Sequence, residues 1–256
     1  MILKKPEIIR MGRFKKFANH QFKSLVEHLE DYRNKKDQEL LHKIRVDIKK
    51  IKAILLLTND RVKGFNGHKN FIPFRTIFRR AGGIREPEVL SSLLLAYNIP
   101  GVHDQSIDGN GEKLAISFSN DVHSFIDIVN KQWQKLESAF GKVRKKDLVQ
   151  YLKKTNKNIK AKLHPEPAID LIHKVRKSMK EFKYLSQSIQ GSRKKRRKFY
   201  SAEIELIGDL HDRQVLLNLL NKGNGAADKV TIEKIQKECD AKKDKIKKRA
   251  LRFYRS

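Results

Sequence analysis

The stretch Leu41-His42-Lys43-Ile44-Arg45-Val46-Asp47-Ile48-Lys49-Lys50-Ile51-Lys52 returns, 131 residues on, as Ile172-His173-Lys174-Val175-Arg176-Lys177-Ser178-Met179-Lys180-Glu181-Phe182-Lys183. The His, Lys, Arg, Lys and Lys match without a gap, and the apolar positions match in kind. At 3.6 residues per turn, His42, Arg45, Lys49 and Lys52 fall within an arc of roughly 80°, with Leu41, Ile44, Ile48, Ile51 and Leu55 on a second arc about 100° away. One face is therefore built to pack and its neighbour to present charge. The second copy repeats the arrangement, with His173, Arg176, Lys180 and Lys183 beside Ile172, Val175, Met179 and Phe182.

Outward from these two helices, apolar residues keep returning every three or four positions, as in Phe14, Phe17, Phe22, Leu25 and Leu29, and strand-like alternation is scarce. Gly- and Pro-rich breaks, with a polar break over Asn34 to Asp37, divide the pattern into about eight helices: 13–34, 38–58, 70–97, 113–139, 144–162, 167–190, 195–221 and 227–253. Gly82, Gly83 and Pro87 predict a kink or a split in the third. A second, weaker repeat sets Gly82-Gly83-Ile84-Arg85-Glu86-Pro87-Glu88-Val89-Leu90 against Gly208-Asp209-Leu210-His211-Asp212-Arg213-Gln214-Val215-Leu216. The fold class expected is all-α. It is a single domain of two similar halves, about 13–140 and 142–254, each an antiparallel four-helix bundle, facing across a pseudo-two-fold axis.

Composition narrows the function. The 256 residues carry 58 Lys and Arg against 29 Asp and Glu, a net charge of +29 that asks for a polyanionic partner. With 39% hydrophobic residues spread along the chain, wholesale disorder is excluded. The strongest apolar run, Ile54 to Leu57, is far short of the ~20 residues a membrane span needs. Met1 to Arg10 carries charges and Pro6 where a signal peptide would need an apolar stretch, which places the protein in the cytoplasm. The one cysteine, Cys239, reads as the outside of a charged helix and inert.

The pattern His-x-x-Arg-x-x-x-Lys-x-x-Lys, present twice, with Gly-x-x-Arg-Glu-x-x-Val after the first copy and Gly-Asp-Leu-x-Asp-x-x-Val after the second, resembles the CHAD family, the conserved histidine α-helical domains. The resemblance covers about residues 13 to 254. It implies paired four-helix bundles whose histidine helices line a basic central groove or pore, binding of inorganic polyphosphate, and association with polyphosphate granules. Carried over by position, it singles out His42, Arg45, Lys49 and Lys52 in the first half and His173, Arg176, Lys180 and Lys183 in the second. Arg85 with Glu86, and Asp212, take the places of the family's Arg-Asp and Asn-Asp pairs, departing from them in Glu86 and His211.

The ligand chemistry agrees. A linear polyphosphate has neither bases nor apolar surface, so cations and hydrogen-bond donors must recognise it, Arg as a planar fork and Lys as a mobile point charge. Neither stripe carries acidic partners of its own. Protonation of the histidines beside phosphate predicts binding that tightens as pH falls toward about 6. Arg75, Arg79 and Arg80 would extend the basic wall, with Ser201 and Glu205 at the matching places of the second half. The run Arg193-Lys194-Lys195-Arg196-Arg197-Lys198 reads most simply as a solvated helix start, yet its Arg193, Lys194, Arg197 and Lys198 stand where a passing polyanion could be gripped.

The rival is a nucleic-acid-binding protein contacting the phosphate backbone. Against a single-strand binder stand the lone Trp133 and phenylalanines that fall mostly at core spacing. An enzyme reading lacks its constellation: Glu203-x-Glu205 is followed by Ile207, and Asp108 to Lys113 fits neither a phosphate loop nor a calcium loop and reads as a turn-rich connection. His103, His123 and His164 have no ligand-like spacing, so neither metal nor cofactor is expected.

Overall fold

The computed structural model describes residues 12–99, 108–163, 169–189, 194–221 and 227–255. These form α1 (Arg13–Lys35), α2 (Gln38–Arg61), α3 (Gly67–Ala96), α4 (Asp108–Asn120), α5 (Val122–Gly141), α6 (Lys145–Lys162), α7 (Ile169–Ser186), α8 (Lys194–Leu220) and α9 (Lys229–Arg255). The described chain is all-helical, as the periodicity requires, and none of its helices is long and apolar enough to cross a membrane.

Local chemistry sets the helix ends. Lys36 closes α1 in the left-handed conformation, its N–H donating to the Tyr32 carbonyl. Asp37 then caps α2 by accepting from the Glu39 N–H at 2.9 Å, and Asn66 caps α3 by accepting from the Lys69 N–H at 2.8 Å. Helix α3 does not split at Gly82, Gly83 and Pro87: it is one continuous helix, with Phe74, Ile77, Ala81, Ile84 and Leu94 burying one face on both sides of the weak point. The expected helix over 113–139 is instead two. The chain turns at Asp121 between α4 and α5, where Arg80 holds Asp121 and Ser117 and the Ser119 hydroxyl donates to the Arg33 carbonyl. At its other end α4 begins at Asp108, so the supposed turn-rich connection from Asp108 to Lys113 is helical.

The apolar arcs read from the repeat are the core. Leu41, Ile44, Ile48, Ile51 and Leu55 are buried on α2, and Ile172, Val175, Met179 and Phe182 are buried on α7. In the first half α1 lies along both α2 and α5, with the Phe22 ring 5.7 Å from Phe74, 5.3 Å from Trp133 and 5.9 Å from Phe140. In the second half α7 packs between α6 and α8, and α9 lies along α8 without packing on α6 to the extent that α5 packs on α1. The halves meet through α2 on α7 and α6 and through α3 on α8. Ion pairs and hydrogen bonds pin that junction: Lys154 reaches Asp60 at 2.8 Å, and Tyr97 donates to Glu238 at 2.6 Å while Arg213 reaches both. Cys239 corrects its reading as an outer residue. It sits one turn after Ile235 on the apolar stripe of α9 and is 1% exposed.

Candidate functional site

The packing of α2 against α7 sets the two cationic faces against each other. Lys49 is pulled down from the usual lysine range to about 7, first by burial and then by the charges of Lys180, Arg45, Arg176 and Arg85. Lys180 is pulled down to about 8, by burial and by Arg176, Lys183 and Arg45, with Asp212 opposing. Each half thus acts on the lysine of the other. Burial, together with Arg85, Lys49 and Lys180, also holds His42 below the ordinary histidine value, Glu39 working against them. A free ammonium in such company is partly deprotonated at neutral pH, and an arriving anion removes the repulsion that keeps it so.

The two arginines are seated by glycines. Arg45 lies over Gly82 of α3, where a methyl group would contact its guanidinium, and Arg176 lies over Gly208 of α8 in the same way. Arg45 Nη2 donates to Glu86 Oε1 at 2.8 Å, its guanidinium stands 4.6 Å from the Phe78 ring centre, and its Nη1 is buried with no hydrogen-bond partner. Arg176 Nε donates to the Ile204 carbonyl at 3.1 Å, and Asp212, one turn after Gly208, raises its pKa against the larger effect of burial. This explains why the weaker repeat keeps a glycine. It also amends the expectation that the stripes lack acidic partners, because the acids come from the neighbouring helices, Glu86 four residues after Gly82 and Asp212 four after Gly208.

A cavity of about 460 Å³ opens beside this cluster. Lys49, Lys52, Ala53 and Leu56 line it from α2, Phe71, Arg75, Phe78 and Arg79 from α3, and Lys177, Lys180, Glu181 and Tyr184 from α7. Phe71 and Phe78, two turns apart, carry cations on their rings: Lys52 at 5.1 Å from Phe71 and Lys49 at 5.4 Å from Phe78. Glu181 accepts a hydrogen bond from Tyr151, and burial pushes its carboxyl up from the ordinary value. Lys50 and Glu181 take the same place in the two copies, and by helical spacing both would lie off the charged stripe. Lys50 does, pairing at 2.9 Å with the buried Asp47, but Glu181 borders the cavity.

The residues singled out in the sequence separate into groups. Lys49, Lys52, Lys180, Arg75 and Arg79 line the cavity. Arg45, Arg176, Arg85, Lys183 and His42 act on the lysines or share their field. His173 borders a separate cavity of about 400 Å³ between α7, α8 and α9, its ring 4.7 Å from that of His211. Arg80 does not extend the wall. At 500° of helical rotation from Arg75, about 140° round the helix, it reaches the other way to Asp121 and, at 3.0 Å, to Ser117. Arg197 donates to the Ser186 carbonyl at 3.2 Å and so closes the end of α7, and Lys198 is exposed outside the cavity. Arg193 and the Lys194 side chain lie outside the described residues, as do His103 and His164. Glu203 is not helical surface. It is 4% exposed and pairs with Arg249 at 2.9 Å. Lys177, Tyr184, Leu56 and the two cavity phenylalanines had no mark in the repeat: Lys177 and Tyr184 on α7 stand where the first copy has Val46 and Ala53, and Leu56, Phe71 and Phe78 come from the first half alone. No cluster of three or more metal-binding side chains occurs among the described residues.

Fold and site together define a class: an all-helical protein that sets two duplicated Arg- and Lys-bearing helices against each other beside a cavity walled by cations and aromatic rings. The CHAD domain family model matches residues 16–221, most of the chain, and the protein belongs to that family. No curated protein and no solved structure matches it.

Proposed function

We propose that the protein binds inorganic polyphosphate without altering it, at the meeting of α2 and α7. One observation carries the reading: Lys49 and Lys180, from opposite halves, line one cavity, and burial first, then the neighbouring cations, holds both ammoniums well below the ordinary lysine range. Such crowding costs stability unless an anion relieves it. The ligand must offer several charges in a row, because Arg45, Lys49 and Lys52 lie in sequence along α2 over about 10 Å. A polyphosphate does so with no other demand on the site, and the family's association with that polymer agrees. The non-catalytic part of the reading rests on how the nearby carboxylates are placed: Glu86 pairs with Arg45, Asp212 acts on Arg176, and Glu181 gives one oxygen to the Tyr151 hydroxyl. Binding of this kind would take the protein to polyphosphate granules.

The test is a competition titration on the full chain at fixed ionic strength. Long-chain polyphosphate should bind wild type, should lose most of its affinity in Lys49→Gln with Lys180→Gln, and should resist displacement by duplex DNA at equal phosphate concentration. Displacement by DNA at parity would favour the nucleic-acid reading, since salt dependence alone is steep for both ligands. Phosphate release from the polymer on adding Mg²⁺ or Mn²⁺ would overturn the non-catalytic reading.

A further inference from the structure

The walls of the α2–α3–α7 cavity are more apolar than a bare phosphate chain can use. Ala53, Leu56, Phe71 and Tyr184 gain nothing from an inorganic polyanion, and an aqueous ligand leaves them wet. Along α2 the lining changes character, from Lys49 at one level to Leu56 seven residues on, about 10 Å away. Phe71 is held in place, stacked on Phe74 with 24° between the rings. Glu181 borders the same cavity, with Oε1 taken by the Tyr151 hydroxyl and Oε2 left as an acceptor. Lys49 and Lys180 toward one end, Phe71 and Leu56 toward the other with the Lys52 ammonium 5.1 Å from the Phe71 ring centre, and a carboxylate oxygen beside them match a phosphate tail, a flat heterocycle that takes the place of that ammonium on the ring, and its amino group.

We propose that this cavity takes a purine nucleoside triphosphate, with the phosphates on Lys49, Lys180 and Arg79 and the base against Phe71 and Leu56, its amino group donating to Glu181. The volume of about 460 Å³ lies in the range of small-molecule sites. This inference rests on the reading that the cluster binds phosphate chains and adds a partner for the wall that such a chain leaves unused. Phe71 also revises the sequence argument that aromatic platforms are lacking, because it is only partly buried.

The experiment is isothermal titration of the full-length protein, without divalent cations, with ATP, GTP and inorganic tripolyphosphate. Tripolyphosphate carries one more negative charge than either nucleotide, so charge alone ranks it first. The proposal ranks ATP or GTP ahead by about tenfold, the gain of one stacked base. Phe71→Leu should remove that advantage, and Lys49→Gln should weaken all three ligands. Tripolyphosphate binding as tightly as the nucleotides in wild type would overturn the nucleotide site and leave polyphosphate binding standing. A nucleotide advantage that survives Phe71→Leu would place the base elsewhere and also overturn it. Binding of none of the three would overturn the nucleotide site, and long-chain polyphosphate titrated alongside then decides the polyphosphate reading separately. The wild-type comparison decides even if the Phe71 variant does not fold.

Discussion

Raising the pH from 7 to 9 should weaken polyphosphate binding, because the site must take up protons to receive an anion. In the free protein Lys49 titrates at about 7 and Lys180 at about 8, against an ordinary 10.5. If bound phosphates return both to the ordinary range, binding at pH 8 takes up about 1.4 protons, about 0.9 at Lys49 and 0.5 at Lys180. Over the two pH units the same linkage weakens affinity by at most about 500-fold, about 50 from Lys49 and 10 from Lys180. Solvent reaches both side chains and reduces that figure, so roughly tenfold is the least the reasoning requires. The assay is calorimetric titration at pH 7, 8 and 9 in pairs of buffers with different ionisation enthalpies, which counts the protons directly. Lys49→Arg with Lys180→Arg keeps the charge but removes the titration, and should flatten the profile. Affinity independent of pH in wild type, or an unchanged slope in the double arginine variant, would refute the reasoning. Without ligand the sign reverses: the unfolded chain holds these protons up to the ordinary range while the folded one loses them from about 7, so their contribution to stability rises between about pH 7 and 10.

Gly82→Ala and Gly208→Ala should each unseat an arginine guanidinium, weakening polyphosphate binding by about tenfold per site, the worth of one charge-assisted contact, with helicity by circular dichroism retained. Glu86→Gln frees Arg45 from its exposed partner and should tighten polyphosphate binding in a filter assay; weaker binding would mean that Glu86 holds Arg45 in its working position. Lys50→Gln should leave affinity within about twofold, since that ammonium points to Asp47 and away from the cavity. Asp47→Ala removes a buried carboxylate that accepts from Ser24 and binds His28 and Lys50, and chemical denaturation should show a loss of about 2–4 kcal/mol.

Helix content and the packing faces were legible because burial imposes a period that the sequence must obey: every residue of the apolar arcs on α2 and α7 is buried. Of the two duplicated stripes, Lys49 and Lys180 come together at one cavity, while His173 borders another. What escaped was set by neighbours distant in sequence. Gly82 reads as a weak point of its helix and Gly208 only as its match in the weaker repeat, yet α3 and α8 pass through them, and their missing side chains make room for Arg45 and Arg176. The spacing from arginine to glycine, 37 residues from Arg45 to Gly82 and 32 from Arg176 to Gly208, is unequal, so the weaker repeat pairs the glycines without tying them to the arginines, which the structure does. The expected pH response was assigned to histidine by its ordinary pKa. Burial and neighbouring cations hold His42 lower and bring two lysines into the physiological range instead, which moves the response to the alkaline side. Arg80 shows the limit of spacing arguments: next to Arg79 in sequence, it belongs to a different face and is taken by Asp121.

The central claim is best tested by a crystal structure of the protein with a defined polyphosphate. Phosphorus positions running between α2 and α7, within hydrogen-bonding distance of Lys49 and Lys180, are the predicted result. A chain lying instead along the lysine-rich outer faces of α6 and α9, with Lys49 and Lys180 untouched, would contradict it.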